Sequence, residues 1–203
     1  MKLKELESLL SHVDPFDNPK VELEQIPTSA HIAARMLFTA ARTYDDIKGC
    51  SVGDFGVGAG MLSIGCSLLG SAYTVGFEVD EEAIDNAWVN CRKMDIFDVD
   101  LVQMDVQSMQ LSYDFDTVVM NPPFGTRNAG IDTAFVLKGM QYANTVYSLH
   151  KTSTRDHFVR LAQEHNFKLE VLAEVKYDIP KTFKHHKHKS KDIFVDLLRF
   201  THI

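Results

Sequence analysis

The chain has 203 residues, 45% of them hydrophobic and 24% charged, with a formal net charge of −7. Those values fit a soluble globular protein of one large or two small α/β domains with a sizeable core. No apolar run reaches membrane-spanning length, the start Met1-Lys2-Leu3-Lys4-Glu5 has no signal-peptide core, and the acidic balance does not advertise a nucleic-acid binder.

Strand-like and helix-like patterns alternate, which predicts a parallel sheet covered by helices on both faces. Ahead of the sheet, Lys4 to Val13 reads as a short amphipathic helix. Thr28 to Tyr44 reads as a second, capped by Thr28 or Ser29 after Pro27. The first strand is expected at about Cys50 to Phe55, then a helix at about Met61 to Leu69. A strand near Ala72 to Phe77, a helix near Glu81 to Lys93 and a strand near Val99 to Met104 follow. Phe115 to Met120 is the fourth strand, and a helix near Thr133 to Ala143 leads to a fifth near Thr145 to Leu149. Ser153 is placed to cap the next helix, whose Phe158, Leu161 and Ala162 have helical spacing. Phe167 to Tyr177 and Asp192 to Ile203 read as two long strands. With no helix between them they form an antiparallel hairpin appended to the sheet, for seven strands in all.

Between those strands Lys181, Lys184, Lys187, Lys189 and Lys191 crowd one segment, interleaved with His185, His186 and His188. A local basic patch on an acidic protein marks a polyanion contact, with a solvated loop as the plainer alternative. Metal binding by these histidines is not expected, because the lysines between them repel a cation. Cys50, Cys66 and Cys91 form no CxxC pair, so neither a disulfide frame nor a zinc site is expected and a reducing compartment fits best.

Asp54-Phe55-Gly56-Val57-Gly58-Ala59-Gly60 leaves the first strand and enters the helix at Met61. Glycines there allow tight turning and close backbone approach to a ligand. Glu78 ends the second strand some twenty residues on, where a carboxylate can hold two ribose hydroxyls. Asp80 is the less favoured substitute. Asp105 ends the third strand, where it can accept from an adenine amino group while the Val106 N–H donates to the ring. Each acid alone is more often a helix cap. Three at successive strand ends beside a glycine loop describe a nucleoside site. A dinucleotide and S-adenosylmethionine both fit a nucleoside. Asp54 would repel a diphosphate and suits the cationic methionine end of the latter, and the glycine spacing is not the GxGxxG that faces a pyrophosphate.

Asn121-Pro122-Pro123-Phe124 follows the fourth strand. A conjugated amino group is a poor nucleophile because its lone pair is spread into the ring. The Asn121 oxygen and the Pro122 carbonyl could accept its two hydrogens, with the prolines holding the backbone stiff and Phe124 offering a face for stacking. The bland alternative is a proline-stiffened turn.

With these residues in view, the chain resembles the class I S-adenosylmethionine-dependent methyltransferases, and within them the methyltransferase-like 5 family of ribosomal RNA adenine-N6 methyltransferases. The resemblance covers nearly the whole chain. It is carried by Leu3-Lys4-Glu5-Leu6-Glu7-Ser8, Leu23-Glu24-Gln25-Ile26-Pro27-Thr28, His31 to Leu37, Val118 to Thr126, Val146 to Lys151 and Val195 to Phe200. It implies a Rossmann-like α/β fold with strand order 3-2-1-4-5-7-6 in a single domain over residues 1–203. Residues 1–45 would form a helical segment closing over the cofactor. It implies that Gln25 and Thr28 close over the methionine end of S-adenosyl-L-methionine, and that Gly56, Glu78, Asp105 and Val106 line the rest of the pocket. Asp54, Gly58, Ala59, Gly60 and Met61 complete the expected set, with Asn121, Pro122, Pro123 and Phe124 at the acceptor.

Two departures stand out: Val57 and Ala59 replace cysteines common in the family loop, and Glu78 replaces the usual Asp. The resemblance further implies 18S ribosomal RNA as substrate, a location in cytoplasm and nucleus, and a small zinc-binding activator subunit as partner. That subunit would add a strand to the apolar edge at Val99, Leu101 and Val102, with Ile96 and Phe97 just before it. A guanine-N2 RNA methyltransferase, a protein glutamine methyltransferase and a non-catalytic RNA-binding scaffold are the alternatives.

Overall fold

The computed structural model describes residues 1–177 and 193–203. The expected polyanion contacts Lys181, Lys184, Lys187, Lys189 and Lys191, with their histidines, lie outside the described residues. Helices α1 (Leu3–Leu10) and α2 (Ala30–Arg42) precede β1 (Ser51–Phe55), α3 (Met61–Leu68), β2 (Tyr73–Glu78), α4 (Glu81–Lys93) and β3 (Val99–Gln103). Then come β4 (Phe115–Met120), α5 (Ile131–Tyr142), β5 (Ala143–Lys151), α6 (Arg155–Glu164), β6 (Phe167–Tyr177) and β7 (Ile193–His202). The seven strands form one sheet in the order β3-β2-β1-β4-β5-β7-β6. Neighbours from β3 to β5 pair in parallel, and β7 runs antiparallel to both β5 and β6.

The order reverses at β1, which lies between β2 and β4. Chain leaving β1 therefore turns one way and chain leaving β4 the other, and a crevice opens above their carboxyl ends. The sheet is buried on both faces, so its inner strands read as nearly continuous apolar runs. On one face Leu6, Leu10, Met36, Leu37 and Ile64 from the first three helices pack over Val52 and Val119. On the other, Phe55, Phe77 and Phe115 meet edge to face at centroid separations of 5.6 to 6.4 Å, with Phe158 and Phe200 in the same cluster. Each such ring contributes about 1.5–3 kcal/mol by burial. Gly53 makes room for one of them: a Cβ there would lie 2.9 Å from Phe115.

Of the two expected caps for α2, Ser29 is the one used, its hydroxyl accepting from the Ile32 N–H at 3.3 Å. One local expectation changes. Ser153 caps nothing: Thr152–Thr154 form a 3₁₀ turn, and α6 starts after Thr154 without a side-chain cap. The hydroxyl of Thr154 instead donates to the Lys151 carbonyl at 2.8 Å, which closes that turn.

Strand β3 is an edge of the sheet. Its apolar side chains are half-buried, because Ile96 and Val99 pack on one core cluster and Val102 on the other. Phe97 does not share in this and remains 76% exposed.

Candidate active site

A cleft of about 880 Å³ opens above the carboxyl ends of β1, β2, β3 and β4, within the range of small-molecule sites. Its walls include Gln25, Thr28, Asp54, Gly56, Gly58, Ala59, Met61, Glu78, Asp105 and Val106, together with all four residues from Asn121 to Phe124. The fold thus gathers nearly all the expected residues from four strand ends. Gly60 is the exception. It sits at the N-cap of α3 with φ 91°, a left-handed conformation that favours glycine, and is not among the residues lining the cleft.

The glycine loop and Glu78 are one unit. Gly56 and Gly58 take φ of 79° and 53°, the left-handed region that disfavours side chains. The Gly58 N–H donates to Glu78 Oε2 at 3.1 Å, while Oε1 accepts from Val79 and Asp80 N–H at 3.0 and 3.2 Å. The carboxylate is thereby fixed at the end of β2. Burial raises its pKa, with these N–H donors acting in the opposite direction. Lone pairs remain on Oε2 for a ligand, the position a ribose diol needs.

Asp80 has another task. It caps α4 by accepting from Glu82 N–H, and it takes Lys20 Nζ at 2.5 Å and Gln25 Nε2 at 2.7 Å. The Gln25 oxygen accepts from Lys20 N–H at 2.7 Å, so both ends of that amide are committed to fastening the segment. Burial opposes ionisation of Asp80, but Lys20 and Gln25 hold its carboxyl below its ordinary value. Asn90 adds a second tether: it accepts from Asp14 N–H and donates to the Asp14 and Ala59 carbonyls. These bonds strap residues 14–25 across the cleft, and Phe16 fills the space beside Gly58, where a Cβ would lie 2.8 Å from its ring.

Asp54 is 1% exposed. Its Oδ2 accepts from Ser63 Oγ at 2.7 Å, while Oδ1 has no partner among the described residues. Burial pushes this carboxyl up to about 7, against the Ser63 donors and with the Glu78 charge adding to the rise. A folded value near 7 against an ordinary 3.8 means the native state binds the extra proton between those values. Stability of the free protein should therefore fall as pH rises from about 4 to 7, by on the order of 4 kcal/mol at most from this group. Asp54→Asn is expected to flatten that slope in urea titrations at pH 5 and 7.5. An unaltered slope would show that Asp54 is ionised throughout. A cation seated beside Asp54 would relieve the same cost.

Asn121 directly follows β4, with its amide held from two sides. Nδ2 donates to Thr28 Oγ1 at 2.9 Å and to the Tyr177 hydroxyl at 3.2 Å, and Tyr177 donates onward to the Pro27 carbonyl at 3.1 Å. Asn121 Oδ1 is buried without a partner among the described residues. Phe124 meets Tyr177 edge to face at 5.9 Å, and Lys151 Nζ reaches the Phe124 carbonyl at 3.4 Å. Beyond Phe124, Glu24 Oε1 accepts from Arg127 N–H at 2.7 Å and joins the strap to the acceptor loop. Sequence reasoning missed Tyr177, Lys20 and Glu24. Tyr177 reads there only as the last residue of a strand, and no spacing links it to Asn121.

Strand order, crevice and strand-end acids define a Rossmann-like methyltransferase. A model of the methyltransferase small domain family matches residues 29–145. The chain is 52% identical to the Danio rerio protein named rRNA N(6)-adenosine-methyltransferase METTL5, over 99% of each chain. It is 48% identical to the Drosophila melanogaster protein of that name, over 98% of this chain and 96% of the relative. Among solved structures, a Pyrococcus horikoshii protein described as a candidate RNA methyltransferase superposes with a TM-score of 0.90 at 35% identity, over 100% of this chain and 98% of that one. The chain belongs to the METTL5 family of rRNA N6-adenosine methyltransferases.

Proposed function

We propose that the protein methylates N6 of an adenine in ribosomal RNA, 18S in particular, with S-adenosyl-L-methionine as donor. The observation that carries this reading is the buried, unpartnered oxygen of Asn121 at the end of the cleft. A buried acceptor without a donor costs about 1–3 kcal/mol, and an incoming amino group would supply the missing hydrogen. Family membership makes that group the N6 of an rRNA adenine. The cofactor fits the same cleft. Asp54 offers an unpartnered carboxylate oxygen to a cationic methionine end, Glu78 keeps lone pairs for a ribose, and Asp105 and Val106 line the adenine side.

S-adenosylmethionine supplies an electrophilic methyl group bound to a sulfonium. The chain's part is to bind, orient and polarise the acceptor. Asn121 Oδ1 and the Pro122 carbonyl take the two amino hydrogens, which favours a pyramidal nitrogen with its lone pair localised, and Phe124 stacks on the base. No strong general base is required, because an N-methylated aryl ammonium loses its proton readily. A base inside a duplex cannot enter such a cleft, so the target adenine is unpaired or flipped out.

Lys181, Lys184, Lys187, Lys189 and Lys191 are proposed to grip phosphates, which adds affinity and salt dependence rather than sequence choice. Incubation with labelled cofactor and total RNA, then nucleoside analysis, tests the reading. Label is expected in N6-methyladenosine of 18S rRNA, with a salt slope that flattens when the five lysines become glutamine. Label in N2-methylguanosine or in protein would reassign the acceptor, and cofactor binding without transfer would favour a scaffold.

A partner that adds a strand to β3 is proposed as well. The open edge and the exposed Phe97 support it, and the family resemblance points to the small zinc-binding activator subunit. Phe97→Glu should weaken co-purification with that subunit, and undiminished co-purification would count against the site. Work on 18S rRNA would place the protein in nucleus and cytoplasm, which imaging of a tagged chain checks.

A further inference from the structure

We infer that Pro27, Tyr177 and Thr28 set the polarity of the Asn121 amide, so that the acceptor pocket presents an oxygen and admits amino-bearing bases in preference to carbonyl-bearing ones. The inference rests on the proposed acceptor role of Asn121.

An asparagine amide has an oxygen end and a nitrogen end of nearly equal size, and only its hydrogen-bond network decides which way it points. Here the decision starts at the backbone. The Pro27 carbonyl can only accept. Tyr177 lies 3.1 Å from it and has a single hydroxyl proton, which this contact takes. Towards Asn121, 3.2 Å away, the same hydroxyl can then present only lone pairs. The Asn121 group facing it must be a donor, so it is Nδ2. The second Nδ2 hydrogen goes to Thr28 Oγ1 at 2.9 Å. Both hydrogens are spent inside the protein, and Oδ1, buried and without a partner among the described residues, is the end left for the substrate.

The relay is rigid. Tyr177 is 2% exposed and its ring packs against Phe124, which fixes the hydroxyl in space. Burial pushes its pKa up to about 12, so the proton it donates stays on across the working pH range. A flipped amide would set Oδ1 against tyrosine lone pairs, or would make Tyr177 abandon Pro27 and leave a carbonyl unpaired. The selectivity follows from the same geometry. An adenine N6 offers hydrogens to Oδ1. A hypoxanthine O6 at the same place offers lone pairs and meets repulsion. Thr28 and Tyr177 are thus positioning residues that act through Asn121.

Three variants test this: Tyr177→Phe, Thr28→Val and Thr28→Ser. At saturating cofactor, Tyr177→Phe and Thr28→Val should each lower single-turnover methyl transfer about tenfold, the scale of one orienting hydrogen bond, with cofactor Kd unchanged in Tyr177→Phe. Thr28→Ser should restore the rate. In an Asn121→Ala background, Tyr177→Phe should cause no further loss, because its effect passes through Asn121. Target RNA carrying inosine at the modified position should inhibit Tyr177→Phe more strongly than the wild type.

Wild-type transfer rates in both single variants would overturn the inference, as would a full additional tenfold loss in the Asn121→Ala background. Should Tyr177→Phe fail to fold, the Thr28→Val and Thr28→Ser pair decides. A wild type that makes no methylated amine at all would sink the proposed function instead, and the two failures are distinguishable in the control lane.

Discussion

Asn121→Ala is expected to bind S-adenosylmethionine as the wild type does and to transfer methyl at least about a hundredfold more slowly, the usual scale for losing one positioned polar group at a transition state. The separation follows from where Asn121 sits. It follows β4, on the far side of β1 from Glu78, the last residue of β2, and from Asp105, just beyond β3. Its hydrogen bonds run to Thr28 and Tyr177 and to no part of the glycine loop. Removing the amide therefore leaves the ribose and adenine sides intact. What is lost is Oδ1, the buried oxygen proposed to accept from the amino group while its lone pair localises. Calorimetric titration of cofactor beside single-turnover transfer on rRNA gives both numbers. Near-normal transfer would remove Asn121 from the reaction, and loss of cofactor affinity would make it a structural residue.

Glu78→Ala should have the opposite signature. Cofactor Kd should rise roughly a hundredfold or more, and the fold should also weaken. Two charge-assisted hydrogen bonds to a ribose at about 1.5–3 kcal/mol each account for that affinity. The same carboxylate accepts from Gly58, Val79 and Asp80 N–H, so its removal strands three backbone donors at the end of β2. Glutamine is not a safe substitute. Its nitrogen end would oppose either the Gly58 donor or the Val79 and Asp80 pair. Aspartate, one methylene shorter, should recover part of the binding. Cofactor titration and thermal melts of the three variants check this. Unchanged Kd in Glu78→Ala would move the ribose site elsewhere, with Asp80 a poor candidate because Lys20, Gln25 and the α4 cap already occupy it.

The sequence by itself determined the sheet, most element positions and which residues meet at the cleft. The reason is local. Strand Phe115–Met120 and helix Glu81–Lys93 have the predicted bounds because burial on both faces gives the first a continuous apolar run, and Asp80 with two acidic residues marks the start of the second. Strand-end acids and the glycine loop are legible because a parallel sheet brings every strand's carboxyl end to the same side. Asp54 and Asn121 could be named as candidate binding and acceptor residues on those grounds alone.

Tertiary structure decided what those groups are able to do. Ser153 has the composition of a cap, yet the chain tightens into a 3₁₀ turn there and places it elsewhere. Gln25 has the composition of a ligand contact, and packing adds a tether, its amide donating to Asp80 and accepting from the Lys20 N–H while one hydrogen and one lone pair remain. Tyr177 is 56 residues from Asn121 and 150 from Pro27, so no periodicity could join the three. Hydrogen-bond partners across such separations are set when helices and strands pack, not by the pattern that forms each one. That packing commits the Asn121 nitrogen to Thr28 and Tyr177 and leaves its oxygen without a partner among the described residues, which is the basis for proposing the Asn-Pro-Pro-Phe corner as an acceptor for an amino group.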